Sequence, residues 1–116
     1  MIYYTYQSNA NTVAGQFVQL SSDSNTVENH TTGIVLGLCR TVYTSDDDGL
    51  LYAEIYVAGG GGQSAILNSN WNGAPTRFDV VNSKVEPVAS GGIGWIIPSF
   101  PRSSKVAGDS VDISIY

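Results

Sequence analysis

Phe17-Val18-Gln19-Leu20 and Phe78-Asp79-Val80-Val81 open two segments that follow the same course. The first runs through Val27-Glu28 and Gly33 to Gly37, the second through Val85-Glu86 and Gly91 to Gly94. In each, a Val-Glu pair is followed by four residues and then a glycine. Each leads on to an alternating apolar run, Leu51–Val57 in one and Val111–Tyr116 in the other. This is the pattern of a duplicated small β-unit. One such unit leaves an apolar face uncovered, and two packed together are the smallest arrangement that buries both.

Outward from this core the chain keeps a strand-and-turn rhythm. Phe17–Leu20, Ile34–Val42, Leu51–Val57, Ser64–Leu67, Arg77–Val81, Gly94–Ile97 and Ser110–Tyr116 are each bounded by Gly, Pro, Asn, Asp or Ser, the punctuation of a barrel or sandwich. Charged residues make up only 13% of the 116, and Gly, Ser, Thr, Asn and Val stand where a helical protein would use Glu, Lys and Arg. The predicted fold is therefore all-β, a small β-barrel or sandwich in one domain, with no helix beyond about two turns. Its units span residues 17–57 and 78–116, joined by a Gly-rich connection, 58–77. Leu51, Ala53, Ile55 and Val57 alternate with Tyr52, Glu54 and Tyr56, which places the aliphatic set on the core face and Glu54 in solvent. Val111, Ile113 and Ile115 alternate likewise with Asp112 and Ser114.

Charge and cysteine content narrow the function classes. The net charge is −5 and no Lys or Arg precedes Arg40, so no basic surface for nucleic acid is expected. The same stretch lacks the charged start of a secretory signal, and no apolar run is long enough to cross a bilayer, so a soluble, unprocessed chain without membrane contact is expected. The single cysteine, Cys39, lies in the apolar run Ile34–Cys39 and reads as a buried thiol.

Residue groups with chemical potential each have a structural reading. Asp46-Asp47-Asp48-Gly49 lacks the alternating ligands and distal Glu of a calcium loop and reads as a hairpin turn. Gly59-Gly60-Gly61-Gly62 lacks the Lys-Ser/Thr and helix of a phosphate loop and reads as a flexible connection. Asn29-His30-Thr31 matches a glycosylation sequon only by sequence. His30 is the only histidine, and no nucleophile elbow or metal-spaced partner accompanies it. No catalytic residue, metal or cofactor is expected. Trp71, between Asn68, Asn70 and Asn72, reads either as a sugar-stacking face or as a plug or subunit contact.

Met1–Gln16 is polar apart from Ile2, Tyr3, Tyr4 and Tyr6 at its head. Large anchors ahead of a polar stretch read as an N-terminal arm, residues 1–16, that docks on a partner. The alternative is that Ile2–Tyr6 is the first strand of the domain's own sheet.

Val85-Glu86-Pro87-Val88-Ala89-Ser90-Gly91-Gly92-Ile93-Gly94, followed by a variable loop and then Ala107-Gly108-Asp109-Ser110-Val111-Asp112-Ile113, resembles the C-terminal signature of small tailed-phage head decoration (cement) proteins. Thr32-Gly33-Ile34-Val35-Leu36-Gly37 and Asp48-Gly49 look like a looser version in the first unit. The resemblance covers Phe17 to Tyr116. It implies a non-enzymatic virion protein, made in the host cytoplasm, that sits as a homotrimer on the outer face of the expanded head and staples neighbouring major capsid proteins. It also implies that the arm (Ile2, Tyr3, Tyr4, Tyr6) reaches across the lattice, with Trp71, Phe100 and Arg102 as further candidate contacts to a subunit or the capsid. The loop Ser99–Ser104 is longer than the family pattern, and Gly59–Gly73 has no counterpart in it. The competing reading is a tail-fibre or baseplate tip, or a lectin-like adhesin, that binds host glycan through Trp71, Asn68, Asn70 and Asn72.

The strand alternation makes a direct prediction. Ile113→Ala is expected to cost about 2–5 kcal/mol and Asp112→Ala less than about 0.5 kcal/mol. Denaturant melts of the two variants measure it, and equal midpoints would mean that the register is shifted by one residue.

Overall fold

The computed structural model describes residues 2–22, 25–98 and 100–116. Among these the chain forms nine strands and no helix: β1 (Ile2–Gln7), β2 (Phe17–Leu20), β3 (Val27–Asn29), β4 (Gly37–Thr44), β5 (Leu51–Ile66), β6 (Thr76–Val81), β7 (Lys84–Val88), β8 (Gly94–Ile97) and β9 (Ser110–Ile115). The order is β3-β2-β4-β5-β9-β8-β6-β7, with β1 also paired to β5. All these ladders are antiparallel.

Strand β5 divides the sheet into two similar halves. Its first half pairs with β1 and β4, and its second half pairs with β9. The first unit is thus β1, β2, β3, β4 and the front of β5, and the second is the back of β5 with β6, β7, β8 and β9. Within each unit the edges meet at a single parallel bridge, Ser8 with Val27 in the first and Leu67 with Val85 in the second. The next amide repeats the match, since Asn9 N–H donates to Val27 O and Asn68 N–H to Val85 O. Each unit is a five-stranded sheet curled almost into a ring, the two stacked in a molecule of 45 × 26 × 23 Å.

The register fixes which residues correspond. Val18 lies opposite Gly37 and Phe78 opposite Gly94. Cys39 faces Ile55 as Ile96 faces Ile113, and Leu36 N–H donates to Val18 O as Ile93 N–H donates to Phe78 O. The counterpart of Phe78 is therefore Val18, not Phe17, and the equivalent glycines are Gly37 and Gly94. Gly33 and Gly91 differ: Gly33 N–H donates to the Gln19 side chain, whereas Gly91 has φ +73 and open space around it. The cause is unequal turns. The β2–β3 hairpin spans residues 21–26 where β6–β7 uses only Asn82-Ser83, so no single offset aligns both ends.

Two elements differ from the sequence reading. Residues 2–7 are not a free arm, because β1 pairs with β5 along its whole length. The front of β5 would otherwise be an open edge with unpaired backbone groups, and β1 satisfies them. The glycines Gly59–Gly62 are not a flexible linker. They lie inside β5, at an irregularity between Gly59 and Gln63 where the strand passes from one unit to the other. Gly59 sits at φ +106, a conformation side chains resist, so the transfer between sheets favours a residue without Cβ at this position.

Two clusters form the core. The smaller, inside the first unit, is Val18, Val27, Cys39, Ala53 and Ile55. The larger fills the second unit with Phe78, Val85, Ile96, Ile113 and their neighbours, and it takes in Phe17, Leu38 and Tyr56 from the first. Ile55 and Ile113 are fully buried and Asp112 is exposed. Glu54 is half-buried rather than in open solvent, because Arg40 folds over it in a 2.8 Å ion pair. Tyr56 keeps the alternation and is buried all the same: it is on the outer face of its own unit yet wholly buried, because the second unit covers that face. Its hydroxyl donates to Gly59 O (2.5 Å) and accepts from Ile115 N–H (3.2 Å).

Gly37 and Gly94 occupy matched positions where a Cβ would collide with the carbonyl oxygens of Tyr56 and Ser114 respectively. Replacing either by Ala is expected to cost about 1–3 kcal/mol. Replacing Gly49, at an open turn, spares the packing and leaves only the strain of its positive φ. Thermal melts of Gly37→Ala and Gly94→Ala check the equivalence, and tolerance of both would remove it.

Candidate functional site

The residues singled out from sequence do not converge on one place. Ile2 and Tyr4 are exposed on β1, while Tyr3 and Tyr6 lie against the core clusters. Tyr3 packs on Tyr56 with ring centroids 5.9 Å apart and lies under the Arg40 guanidinium at 5.0 Å. Half of the supposed anchor set is therefore occupied by the domain's own packing.

Trp71 is not a surface contact. It is 4% exposed and belongs to the larger core. Its indole N–H reaches Ala74 O (2.9 Å) and Thr76 Oγ1 (3.2 Å). The backbone pairing of Trp71 with Lys105 ties the loop after β5 to the loop before β9. The neighbouring amides are spent in the same way. Asn68 donates to Glu86 (2.9 Å), Asn70 accepts from Ala107 N–H (3.0 Å) and Asn72 from Ala74 N–H (2.9 Å). The indole face and the three amides therefore do not form the sugar platform envisaged from sequence. Burial was the signal available beforehand, since a large aromatic between two strand runs more often fills a core than faces water.

Phe100 stands fully exposed, with exposed Pro101 and Arg102 beside it. Arg102 reaches back to Asn72 O at 3.5 Å. Sequence reasoning missed a second exposed group, Trp95 on β8. It lies beneath the Arg77 guanidinium (5.1 Å) and edge-on to Tyr116 (6.3 Å). Alternation could have found it, because Ile96 points inward and both its neighbours must then point outward.

The polar groups are engaged structurally. Asp48 anchors the β4–β5 turn, accepting from Leu50 N–H (2.9 Å) and from the Tyr52 hydroxyl (2.5 Å). The Tyr52 bond above all holds the Asp48 carboxyl below its ordinary range. Among the described residues no three His, Cys, Asp or Glu side chains are grouped as a metal site. His30 is buried, with Nε2–H donating to Gly33 O (2.9 Å). The nearby Ser83 hydroxyl donates to the His30 backbone oxygen (2.6 Å), not to the ring. Asn29 Oδ1 accepts from Val13 N–H (3.3 Å).

Cys39 is buried in the first unit's core. Burial pushes its thiol up to about 11 from an ordinary 9.0, partly offset by the hydrogen bond to Thr41 O. No family model matches the chain, and neither the curated proteins nor the solved structures contain a match to it.

The raised thiol gives a reactivity test. At pH 8 the native protein is expected to react with a thiol-specific disulfide reagent at least about a hundredfold more slowly than the unfolded chain, from the thiolate fraction alone. The folded group titrates above the unfolded one, so its contribution to stability is complete below about pH 9 and is lost as the pH rises towards 11. Rapid labelling of the native chain at pH 8 would place Cys39 outside the core.

Proposed function

We propose that the chain is a non-enzymatic virion structural protein, a decoration (cement) protein on the outer face of an expanded phage head that staples neighbouring major capsid proteins. The observation that carries this reading is the course of the residues resembling that family. Val85–Gly94 runs through β7 and the glycine turn into β8, and Ala107–Ile113 forms the turn into β9. That second turn is built tightly: Gly108 adopts φ +94, its N–H donates to Leu67 O, and Val106 N–H donates to the Asp109 carboxylate (3.0 Å). The signature thus supplies β7, β8 and β9 of the second unit, with β6 between β7 and β8 in the sheet.

Such a protein works by differential binding. A subunit that binds only the expanded shell stabilises that state in proportion to occupancy. With β1 held in the sheet, Ile2 and Tyr4 of the arm set remain exposed on it, and among the loop residues Phe100 is the strongest candidate. A bare aromatic ring flanked by Pro101 and Arg102 offers a large contact area whose loss of side-chain freedom on binding is modest. Arg102 adds a cation to a chain of net charge −5.

Phe100→Ala is expected to leave the melting midpoint unchanged, since the ring touches solvent, and to weaken co-sedimentation with stripped, expanded heads by about tenfold or more. Undiminished attachment would move the contact to another face. Binding to a glycan array, with no binding to heads, would favour a fibre-tip or adhesin role instead.

A further inference from the structure

Because the chain is built from two equivalent units, one of its interfaces occurs twice, once covered and once exposed. The strand register assigns Phe17, Leu38 and Tyr56 of the first unit to Arg77, Trp95 and Ser114 of the second. Both sets are rows of cross-strand neighbours on the outer faces of their sheets. The first row is buried in the core of the second unit, where Phe17 meets Phe78 at 5.8 Å between ring centroids. The second row is left uncovered by the first unit, with Arg77 exposed, Trp95 40% exposed and Ser114 partly buried.

The receiving side is displayed as well. In the second unit, Val80 and Ile93 belong to or pack on the cluster that Phe17, Leu38 and Tyr56 complete. Their counterparts in the first unit are Leu20 and Leu36. These two, with Ile34 (86% exposed) and Gln19, instead line an open groove of about 250 Å³. That is below the about 300–1,000 Å³ of small-molecule sites.

We propose that a second copy of this chain seats its Trp95 knob, with Arg77 and Tyr116, in the Leu20–Ile34–Leu36 groove, repeating between molecules the contact that joins the two units within one. The asymmetry of the internal interface sets the geometry. Were the units related by a twofold axis, the Arg77–Trp95–Ser114 row would be buried against the first unit as the Phe17 row is against the second. It is not, so the contact is head-to-tail and leaves one free knob and one free groove on each molecule. The residue changes fit a contact that must also stand in water. Phe and Tyr of the permanent interface become Arg and Ser, while the central position stays large and becomes Trp, and Arg and Trp are the residues that dominate separable interfaces. Charge agrees: the Gln19 amide at the groove holds the Glu28 carboxylate (3.2 Å), which places an acid beside the incoming Arg77. Whether the contact closes into a ring or continues as a chain depends on its rotation. The inference does not rest on the capsid reading, because it concerns the purified chain alone.

Sedimentation velocity on the purified chain up to about 1 mM tests it. The wild type is expected to show a mass that rises with concentration, levelling off if a ring closes. Trp95→Ala and Ile34→Asp, both at exposed positions and each checked for an unchanged melt, are expected to weaken self-association by about tenfold or more. The decisive sample is their equimolar mixture. The Trp95→Ala chain keeps its groove and the Ile34→Asp chain keeps its knob, so the mixture should form a heterodimer that does not grow further. A wild type that stays monomeric throughout, variants that associate as the wild type does, or a mixture that fails to pair would each overturn the proposal.

Discussion

Strand β5 belongs to two sheets at once, and the rest of the molecule depends on how it passes between them. Up to Ala58 its backbone is bonded to β1 and β4, and from Gly59 it is bonded to β9. An ordinary strand cannot leave one curled sheet and enter another without a local break in its ladder, and the glycine run supplies that break. Tyr56 pins the geometry just before it, with its hydroxyl bonded to Gly59 O and Ile115 N–H. Because the transfer is held on both sides, the outer face of the first unit is pressed into the second, and Phe17, Leu38 and Tyr56 are buried there. Each of these side chains contributes about 1.5–3 kcal/mol on burial, so the stacking of the units is a core interaction and not a hinge.

The two units are alike in topology and unequal in packing. The second has a full core because the first completes it, whereas the first keeps a core of five buried residues. The inequality decides which surfaces are exposed. The outer row of the second unit and the groove of the first are the two sides of the internal contact that the other unit leaves uncovered. Phe100, on the loop before β9, is a third exposed group and owes nothing to the duplication.

Several of the molecule's side chains with chemical potential are engaged in the fold itself. Its histidine is bonded to a backbone carbonyl, its thiol is buried and held protonated, and its best-placed carboxylate, Asp48, organises a turn. Among the groups that project into solvent are several large apolar ones: Phe100, Trp95, Tyr116, Ile34 and Tyr4.

Sequence alone determined the all-β class, the presence of two similar units though not their alignment, and an inward set, because a period of two and turn residues are local properties of the chain. Of that set Ala53, Ile55, Val111, Ile113 and Ile115 are buried and Leu51 and Val57 only partly so. Asp48-Gly49 was legible as a turn for the same reason. What only tertiary structure decided were the matters of what lies opposite what. Ile2–Gln7 could be an arm or a strand until β5 offered it an edge, and Gly59–Gly62 could be a linker or a bend until its neighbours were in place. Tyr56 obeys the alternation of its strand and is buried all the same, since a second unit lies over its outer face. Trp71 reads as a stacking surface or as a plug or subunit contact and is a core residue, while Trp95 was overlooked and stands exposed. In each case the residue type sets what a side chain can do, and long-range packing decides whether it faces the core, the other unit or solvent.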